Sequence, residues 1–87
     1  MPYSVYILKS LKDGKYYIGQ TSDLEKRIDA HNRGSVKSTK NRRPMELVYS
    51  EICASASEAR QREHYFKSFK NTKDLLSYLK VAPSSRG

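Results

Sequence analysis

The chain has 87 residues, with 17 lysines and arginines against nine aspartates and glutamates, and a formal net charge of +8. This length indicates one domain with a modest core, and no apolar run approaches the roughly 20 residues needed to span a bilayer. The single cysteine, Cys53, excludes an intramolecular disulfide and argues against a thiolate zinc site. Because the first residues, MPYSVYILKS, lack a signal-peptide pattern, we expect a cytoplasmic protein without a membrane segment.

The first predicted element is a β-hairpin. The segments YSVYILKS and KYYIGQ are rich in β-branched and aromatic residues, and LKDG between them is a turn sequence. We expect Asp13 and Gly14 to form a two-residue turn, which fixes the two faces of the hairpin. One face then carries Tyr6, Leu8, Tyr17 and Gly19. The opposite, more apolar face carries Val5, Ile7, Tyr16 and Ile18.

A helix is predicted next in the chain. Ser22, with Glu25 three residues later, has capping-box spacing, and Gly34 is typical of a left-handed turn at the end of a helix. The loop from 34 to 44 that follows is basic and polar, and we expect it to be flexible. MELVYSEI after the loop predicts a third strand with Leu47 and Tyr49 on one side.

Two further helices follow the third strand. The second helix begins near Ser55 or Ser57, where Ser55 and Glu58 again have capping-box spacing, and it runs through EARQREHYFKSF. Thr72 is the predicted cap of a short third helix, KDLLSYLK, whose inward residues are Leu75, Leu76 and Leu79.

The order of elements is therefore ββαβαα, an α+β domain with a small three-stranded antiparallel sheet flanked by helices. We expect this single domain to cover residues 1–81, and residues 82–87 (APSSRG) to form a flexible tail.

Positive charge is concentrated in two segments. RGSVKSTKNRR has five cations and no acid, and the segment from 60 to 73 has five cations against Glu63 alone. Such clustering favours a polyanion, and nucleic acid is the leading partner. An anionic membrane surface is a weaker alternative, because neither segment has the large apolar face of an interfacial helix. The residues expected to contact nucleic acid are Arg33, Lys37, Lys40, Arg42 and Arg43.

Polar residues lie on stripes that should face the core. In the first helix, Arg27 and His31 share a stripe with aliphatic residues, and in the second helix Glu63 lies between Ala59 and Phe66 at helical spacing. A buried charge is costly unless it is paired or ligated. One interpretation is a buried ion pair between Arg27 and Glu63, with satisfied tyrosine hydroxyls on the sheet.

The other interpretation is a site that cleaves phosphodiesters. Such a site needs a cation for the developing phosphoryl charge, an oxygen ligand for a divalent ion and a group that accepts a proton from water. Arg27, Glu63 and a tyrosine, Tyr6 or Tyr17, have the chemistry for these three roles, and the basic loop would contact phosphates.

The same residues resemble the signature of a known family. The tripeptides VYI at 5–7 and YIG at 17–19, Arg27 ten residues after Tyr17, His31 four residues later and Glu63 within EARQRE are similar to the GIY-YIG nucleases. Val5 replaces the first glycine of that pattern. The chain looks most like small stand-alone members, similar to the N-terminal nuclease domain of the bacterial DNA-repair excinuclease.

This resemblance implies a metal-dependent DNA endonuclease that uses one Mg²⁺ or Mn²⁺ and leaves 5′-phosphate and 3′-hydroxyl ends, in DNA repair or recombination. It implies that Tyr17 is the general base, that Tyr6 forms a hydrogen bond in the site and that Glu63 binds the metal. Arg27 would stabilise the phosphoryl charge, and His31 would support the nucleophile or the phosphate. A single carboxylate ligand suits a hydrated Mg²⁺ ion.

Two features depart from the excinuclease pattern. Gln20 stands where those relatives have lysine, and Asn71 is closer to Glu63 in sequence than their site asparagine is. We therefore keep Asn71 out of the predicted site.

Two alternatives to an endonuclease stay open. One is a nucleic-acid-binding module that keeps the fold but has little or no turnover. The other is a protein-interaction domain with basic faces, which leaves Glu63 unexplained. The sequence does not indicate which DNA is preferred, and a specificity-giving protein partner is compatible with it. No base-reading helix or zinc finger is evident.

Overall fold

The computed structural model describes residues 2–81, with side chains described up to Leu79. Three antiparallel strands form one sheet with the order β2-β1-β3. The strands are β1 (Tyr3–Ser10), β2 (Tyr16–Thr21) and β3 (Met45–Cys53). The helices are α1 (Leu24–Arg33), a short 3₁₀ helix (Lys40–Arg42), α2 (Ala56–Lys67) and α3 (Thr72–Val81). The predicted order ββαβαα and the α+β class are confirmed. The predicted tail, residues 82–87, lies outside the described residues.

The hairpin has the predicted faces but a longer turn. The amide of Ser10 donates to the carbonyl of Lys15 over 2.8 Å, so four residues, not two, form the loop. Gly14 has a φ of 74°, which favours glycine, and the carboxylate of Asp13 accepts from the amide of Lys15. The register differs by two residues from that of a two-residue turn. Because the shift is an even number of residues, the same side chains still share each face. The predicted assignment of residues to the two faces is therefore confirmed.

Each face of the sheet has its own hydrophobic cluster. The cluster under α1 contains Tyr6, Leu8 and Met45, with Tyr17, Leu24 and Ile28 packed against it. The cluster under α2 and α3 contains Val5, Ile7, Ile18, Cys53, Ala59, Phe66, Leu75 and Leu79. The inward positions predicted for the third helix are confirmed, since Leu75 and Leu79 are buried and Leu76 is partly buried. The sheet therefore separates α1 from α2, and strand β2 is one of its edges.

Strand β3 contains a bulge that the sequence did not predict. Ile7 pairs with Tyr49, but its neighbour Leu8 pairs with Leu47, so Val48 is an extra residue. The extra residue moves Leu47 to the face of α1 and leaves Tyr49 on the face of α2. The prediction that Leu47 and Tyr49 share one side is therefore wrong.

The helix caps partly differ from the predictions. Asp23, not Ser22, caps α1, with its carboxylate accepting from the amide of Lys26. Asn71, not Thr72, caps α3 through the amide of Asp74. The observed caps, like the predicted ones, are short side chains with an oxygen that can accept a hydrogen bond from a backbone amide. As predicted, Ser55 caps α2, and Gly34 closes α1 with a φ of 84°.

No helix within residues 2–81 is both long enough and apolar enough to cross a membrane.

Candidate active site

A chain of buried hydrogen bonds runs from strand β1 through helix α1 to the basic loop. The hydroxyl of Tyr6 lies 3.0 Å from Nε2 of His31, and Nδ1 of His31 lies 2.7 Å from the hydroxyl of Thr39. Tyr6 is 1% exposed, and His31 and Thr39 are fully buried. Buried polar groups need such partners, so His31 is a satisfied histidine positioned behind a tyrosine hydroxyl.

Tyr17 completes an aromatic cluster at the same place. Its ring centroid lies 5.1 Å from that of His31 and 6.4 Å from that of Tyr6. Tyr17 is only partly buried, and its hydroxyl has no hydrogen-bond partner within the part of the chain that the structure describes. Two tyrosines of different exposure therefore lie beside one histidine. Among the described residues, the Tyr6 hydroxyl has a hydrogen-bond partner and the Tyr17 hydroxyl has none.

Gly19 allows this arrangement. A β-carbon at position 19 would lie 2.6 Å from the Tyr6 hydroxyl oxygen and 3.1 Å from Cε2 of Tyr17. Since real side chains do not approach so closely, any other residue would displace Tyr6. The glycine of the YIG tripeptide is thus explained by packing and not by backbone conformation.

The charges of Arg27 and Glu63 act on the same cluster. Burial raises the pKa of Tyr6 well above its ordinary value; Tyr17 and Glu63 raise it further, and Arg27 lowers it. Burial also lowers the pKa of His31, with a smaller contribution from Arg27. At neutral pH Tyr6 therefore keeps its proton and His31 is neutral.

Arg27 itself is exposed, although the sequence suggested an inward position. Leu24 and Ile28 form the packed stripe, and Arg27 lies at its margin, where a long side chain can extend into water. Arg27 lines a shallow surface cavity of about 300 Å³ with Lys26 and Arg33. No ion pair joins Arg27 to Glu63 within residues 2–81, so the ion-pair interpretation is wrong.

Glu63 lies on α2 beside the edge strand β2. Its side chain is 19% exposed, and one oxygen, Oε2, pairs with Nζ of Lys67 at 2.8 Å. The other oxygen, Oε1, accepts a hydrogen bond from the side-chain amide Nε2 of Gln20 at 3.2 Å. The carboxylate therefore faces the rim of the sheet and already holds one cation, the lysine ammonium.

Among the residues expected to contact nucleic acid, Lys37, Lys40 and Arg43 are exposed. Arg33 is also exposed, although it pairs with Asp29 at 3.4 Å. Arg42 differs, because its side chain is 24% exposed and pairs with Asp13 at 3.3 Å. Its guanidinium also donates to the carbonyl of Tyr16.

The basic loop is more ordered than predicted. It contains the 3₁₀ helix, and the hydroxyl of Ser10 donates to the carbonyl of Arg42 at 2.7 Å. The side chain of Asn32 clamps the end of the loop through two bonds to the backbone of Met45. The expectation of a segment without any regular element is therefore wrong. Its four exposed cations lie on or beside a structured loop.

Comparison with known proteins decides the family. A family model described as the GIY-YIG catalytic domain matches residues 2–76. The chain belongs to the GIY-YIG family. Its resemblance to that family, inferred from two tripeptides, an arginine, a histidine and a glutamate, is confirmed.

Relatives of this GIY-YIG domain include several bacterial UPF0213 proteins. UPF0213 protein SSP2268 of Staphylococcus saprophyticus is 49% identical over 72 residues, which cover 82% of this chain and 87% of that protein. UPF0213 protein YazA of Bacillus subtilis is 45% identical over 72 residues, covering 82% of this chain and 72% of the relative. The solution NMR structure of UPF0213 protein BH0048 from Bacillus halodurans has a TM-score of 0.56 and 37% identity, and the match covers 97% of this chain and 90% of that one.

The residues of this GIY-YIG domain fit a single hydrated divalent ion. Within residues 2–81, no three histidine, cysteine, aspartate or glutamate side chains cluster as a metal site, so a closed transition-metal centre has no ligands. Glu63 offers one hard oxygen ligand and already attracts a cation in the form of Lys67. One carboxylate completed by waters and substrate is the coordination that Mg²⁺ tolerates.

Sequence reasoning missed three residues whose side chains contact His31 or Glu63: Gln20, Thr39 and Lys67. Lys67 follows Glu63 at the i,i+4 spacing of helical ion pairs, so this contact could have been predicted from the sequence. The other two give no such signal, because Gln20 is a polar residue on an edge strand and Thr39 is one of several hydroxyl residues in a polar loop.

Proposed function

We propose that this GIY-YIG domain is a metal-dependent DNA endonuclease that hydrolyses phosphodiester bonds to 5′-phosphate and 3′-hydroxyl ends. The observation that carries the proposal is the cluster of Tyr6, Tyr17 and His31, on which the charges of Arg27 and Glu63 both act. Family membership supports nuclease chemistry, and the net charge of +8 supports a polyanionic substrate.

The roles follow from the surroundings of each side chain. Glu63 would hold Mg²⁺ or Mn²⁺, which when bound would supply positive charge for the phosphodiester. Tyr17, with its unengaged hydroxyl, would as the phenolate take a proton from the water that attacks phosphorus. Arg27 would stabilise the charge that develops on the phosphoryl oxygens. The bond from phosphorus to the 3′ oxygen then breaks, that oxygen takes a proton from solvent water, and Tyr17 returns its own proton to solvent.

Tyr6 and His31 have supporting roles in this proposal. Because Tyr6 keeps its proton at neutral pH, it acts as a hydrogen-bond donor and not as a base. Neutral His31 holds the Tyr6 hydroxyl in place from behind. The exposed cations of the loop, Arg33, Lys37, Lys40 and Arg43, would contact phosphates without reading bases. Arg42 is left out of this set because its guanidinium has internal partners.

A second candidate is a DNA-binding module with little or no turnover. The observation that favours it is the pairing of both Glu63 oxygens with groups of this chain, Gln20 and Lys67. A divalent ion would compete with the Lys67 ammonium for this carboxylate. A cytoplasmic location, a role in DNA repair or recombination and a specificity-giving protein partner stay predictions under either candidate.

A cleavage assay separates the two candidates. Labelled single-stranded, nicked, flapped and branched DNA is incubated with the wild type, with Mg²⁺ or Mn²⁺ or with EDTA. We expect cleavage of at least one substrate in the metal conditions and none in EDTA. Tyr17→Phe should remove the activity, and Tyr78→Phe, which changes an exposed tyrosine on α3, is the matched control. DNA binding without cleavage of any substrate would favour the binding module.

A further inference from the structure

A cavity of about 380 Å³ lies between strand β2 and the turn that joins α2 to α3. Three consecutive residues, Tyr16, Tyr17 and Ile18, line it, so it follows the free edge of β2. Lys67, the partner of Glu63, also lines it. The proposed mechanism gives this cavity no role, yet a ligand bound there would lie beside the proposed general base and the proposed metal ligand.

Aromatic side chains form the apolar part of the cavity wall. Phe66 is 1% exposed and belongs to the core, whereas Tyr16 and Phe69 are only partly buried and keep ring surface accessible. The ring of Phe69 is held edge-on by Tyr65, with centroids 5.4 Å apart and an interplanar angle of 88°. A partly exposed ring that is held in place is a surface on which a nucleobase can stack, with little dependence on sequence.

The charged and amide side chains of the cavity are hydrogen-bond donors. Lys67 and Lys70 are exposed cations, and no acidic residue among residues 2–81 lines the cavity. The Oδ1 oxygen of Asn71 accepts from the amide of Asp74 at 2.8 Å in the cap of α3, which leaves its Nδ2 to donate to a ligand. These groups complement the oxygens of a phosphate and the carbonyl oxygens of a base.

This combination fits a single unpaired nucleotide better than a bare phosphate or a duplex. A phosphate alone would occupy the lysines and leave the rings of Tyr16 and Phe69 uncovered. In a duplex the neighbouring base pairs cover both faces of each base, so a base reaches these rings only after it leaves the stack. The volume of the cavity is in the range of small-ligand sites, which suits one nucleotide and excludes a duplex.

We propose that this cavity binds an unpaired nucleotide of the substrate strand, with its base against Tyr16 and Phe69 and its phosphate at Lys70. The position of this nucleotide next to the cleaved phosphate rests on the proposed nuclease function. The binding of an unpaired base does not rest on it. The preferred substrates are therefore single-stranded or flapped DNA and not a continuous duplex.

Binding measured in EDTA tests the site without cleavage. Three fluorescent probes are compared by anisotropy: a short thymidine strand, a strand of the same length made of abasic sugar phosphates, and a duplex of that length. We expect the wild type to bind the thymidine strand more tightly than either of the others. Equal affinity for the thymidine and abasic strands would overturn the proposal, because the two differ only in the bases.

Phe69→Leu tests the stacking surface. It should weaken binding of the thymidine strand about 5-fold or more, which is the lower end of the effect of losing one stacked base, and should leave binding of the abasic strand unchanged. Tyr78→Leu is the matched control. Tyr78 packs against Phe69 with centroids 5.8 Å apart but does not line the cavity, so it controls for loosened packing and for the loss of an exposed ring. Equal effects of the two variants on the thymidine strand would overturn the stacking assignment.

Lys70→Gln tests the phosphate contact and leaves the core intact. It should lower the log–log salt slope for the thymidine strand by roughly 0.7. Lys73→Gln, which changes an exposed lysine outside this cavity, should not. Equal slopes in the two variants would overturn the contact. If Phe69→Leu does not fold, the thymidine and abasic strands and this pair of lysine variants still decide.

The cleavage assay relates the site to the nuclease function. We expect single-stranded or flapped DNA to be cleaved in preference to the continuous duplex, and Phe69→Leu should raise KM for these substrates. If the wild type binds the thymidine strand as expected but cleaves no DNA, the nuclease function fails and the nucleotide site stands. If it cleaves DNA but binds the thymidine and abasic strands equally, the nuclease function stands and the nucleotide site fails.

Discussion

The hydroxyl of Tyr6 occupies the space that a β-carbon at Gly19 would need, 2.6 Å away. Tyr6 and Gly19 are paired across strands β1 and β2, one in each tripeptide of the family signature. Their contact places the tyrosine ring over the edge strand, and the hydroxyl of that ring reaches His31. The two tripeptides are therefore one packing unit.

This contact predicts the effect of Gly19→Ala. The added methyl group must push Tyr6 away from His31, and overpacking of this kind costs about 1–3 kcal/mol of unfolding free energy. Thermal or urea unfolding measures the loss. Tyr6→Phe in the Gly19→Ala background removes the nearer of the two Tyr6 atoms that clash, the hydroxyl oxygen, and keeps Cζ at 2.8 Å. The double variant should therefore be somewhat more stable than the two separate losses predict. Strict additivity would show that the contact is not the cause.

The two tyrosines of the site should respond differently to removal of the hydroxyl. Tyr6→Phe leaves a buried His31 nitrogen without its partner and should lower the unfolding free energy by about 1–3 kcal/mol. Tyr17→Phe removes a hydroxyl without a partner among residues 2–81, so stability should change by less than about 0.5 kcal/mol, although cleavage is abolished. Urea unfolding of both variants, beside the cleavage assay, checks this. Equal destabilisation by both would contradict the assignment.

Lys67 should compete with the divalent ion for Glu63. Lys67→Met removes the ammonium from the carboxylate and should strengthen Mn²⁺ binding roughly two- to five-fold, which corresponds to the energy of a partly exposed ion pair. Calorimetry or the paramagnetic signal of free Mn²⁺ measures the affinity without DNA. Lys70→Met is the matched control, because Lys70 lines the same surface cavity as Lys67 but forms no ion pair with Glu63 among the described residues. Equal effects of the two variants would mean that only net charge matters.

The loop cations should divide into two groups. Changing Lys37, Lys40 and Arg43 to Gln should reduce the salt dependence of DNA binding by roughly 0.9 in log–log slope for each phosphate that is no longer neutralised. Arg42→Gln should instead lower stability by about 1–2 kcal/mol, because it removes the Asp13 pair and the bond to the Tyr16 carbonyl. Binding isotherms at several salt concentrations, with thermal unfolding, separate the groups. An unchanged slope in the triple variant would refute the phosphate contacts.

Some of the fold could be predicted because periodicity fixes it. The faces of the hairpin depend only on parity, so an error of two residues in the turn left them intact. The caps of α1 and α3 were wrong by one residue, since Ser22 and Asp23, or Asn71 and Thr72, have nearly equal cap preference. The bulge at Val48 could not be predicted, because it depends on how β3 fits β1 and has no local sequence signal.

The predicted site residues could be identified from the sequence, whereas the residues that contact them could not. Tyr6, His31 and Glu63 are unusual on apolar stripes, so helical and strand periods identify them. Thr39 and Gln20 are ordinary polar residues in polar surroundings, and only the tertiary structure shows what they touch. Arg27 was expected to face inward because helical spacing places it near the apolar stripe of α1. The spacing does not show that its long side chain extends away from the core into water.

The most direct test of the central claim is a comparison of Glu63→Gln with the wild type in metal-dependent DNA cleavage. Glu63 is partly exposed, and its partners are the side-chain amide of Gln20 and the solvent-exposed Lys67. The substitution Glu63→Gln should therefore change the unfolding free energy by less than about 1 kcal/mol and should leave DNA affinity nearly intact. Glu46→Gln, which changes an exposed glutamate on β3, controls for the removal of one negative charge. We expect the wild type and Glu46→Gln to cleave DNA with Mg²⁺ or Mn²⁺, and we expect Glu63→Gln to bind DNA without cleaving it. Metal-dependent cleavage by Glu63→Gln at the wild-type rate would contradict the central claim.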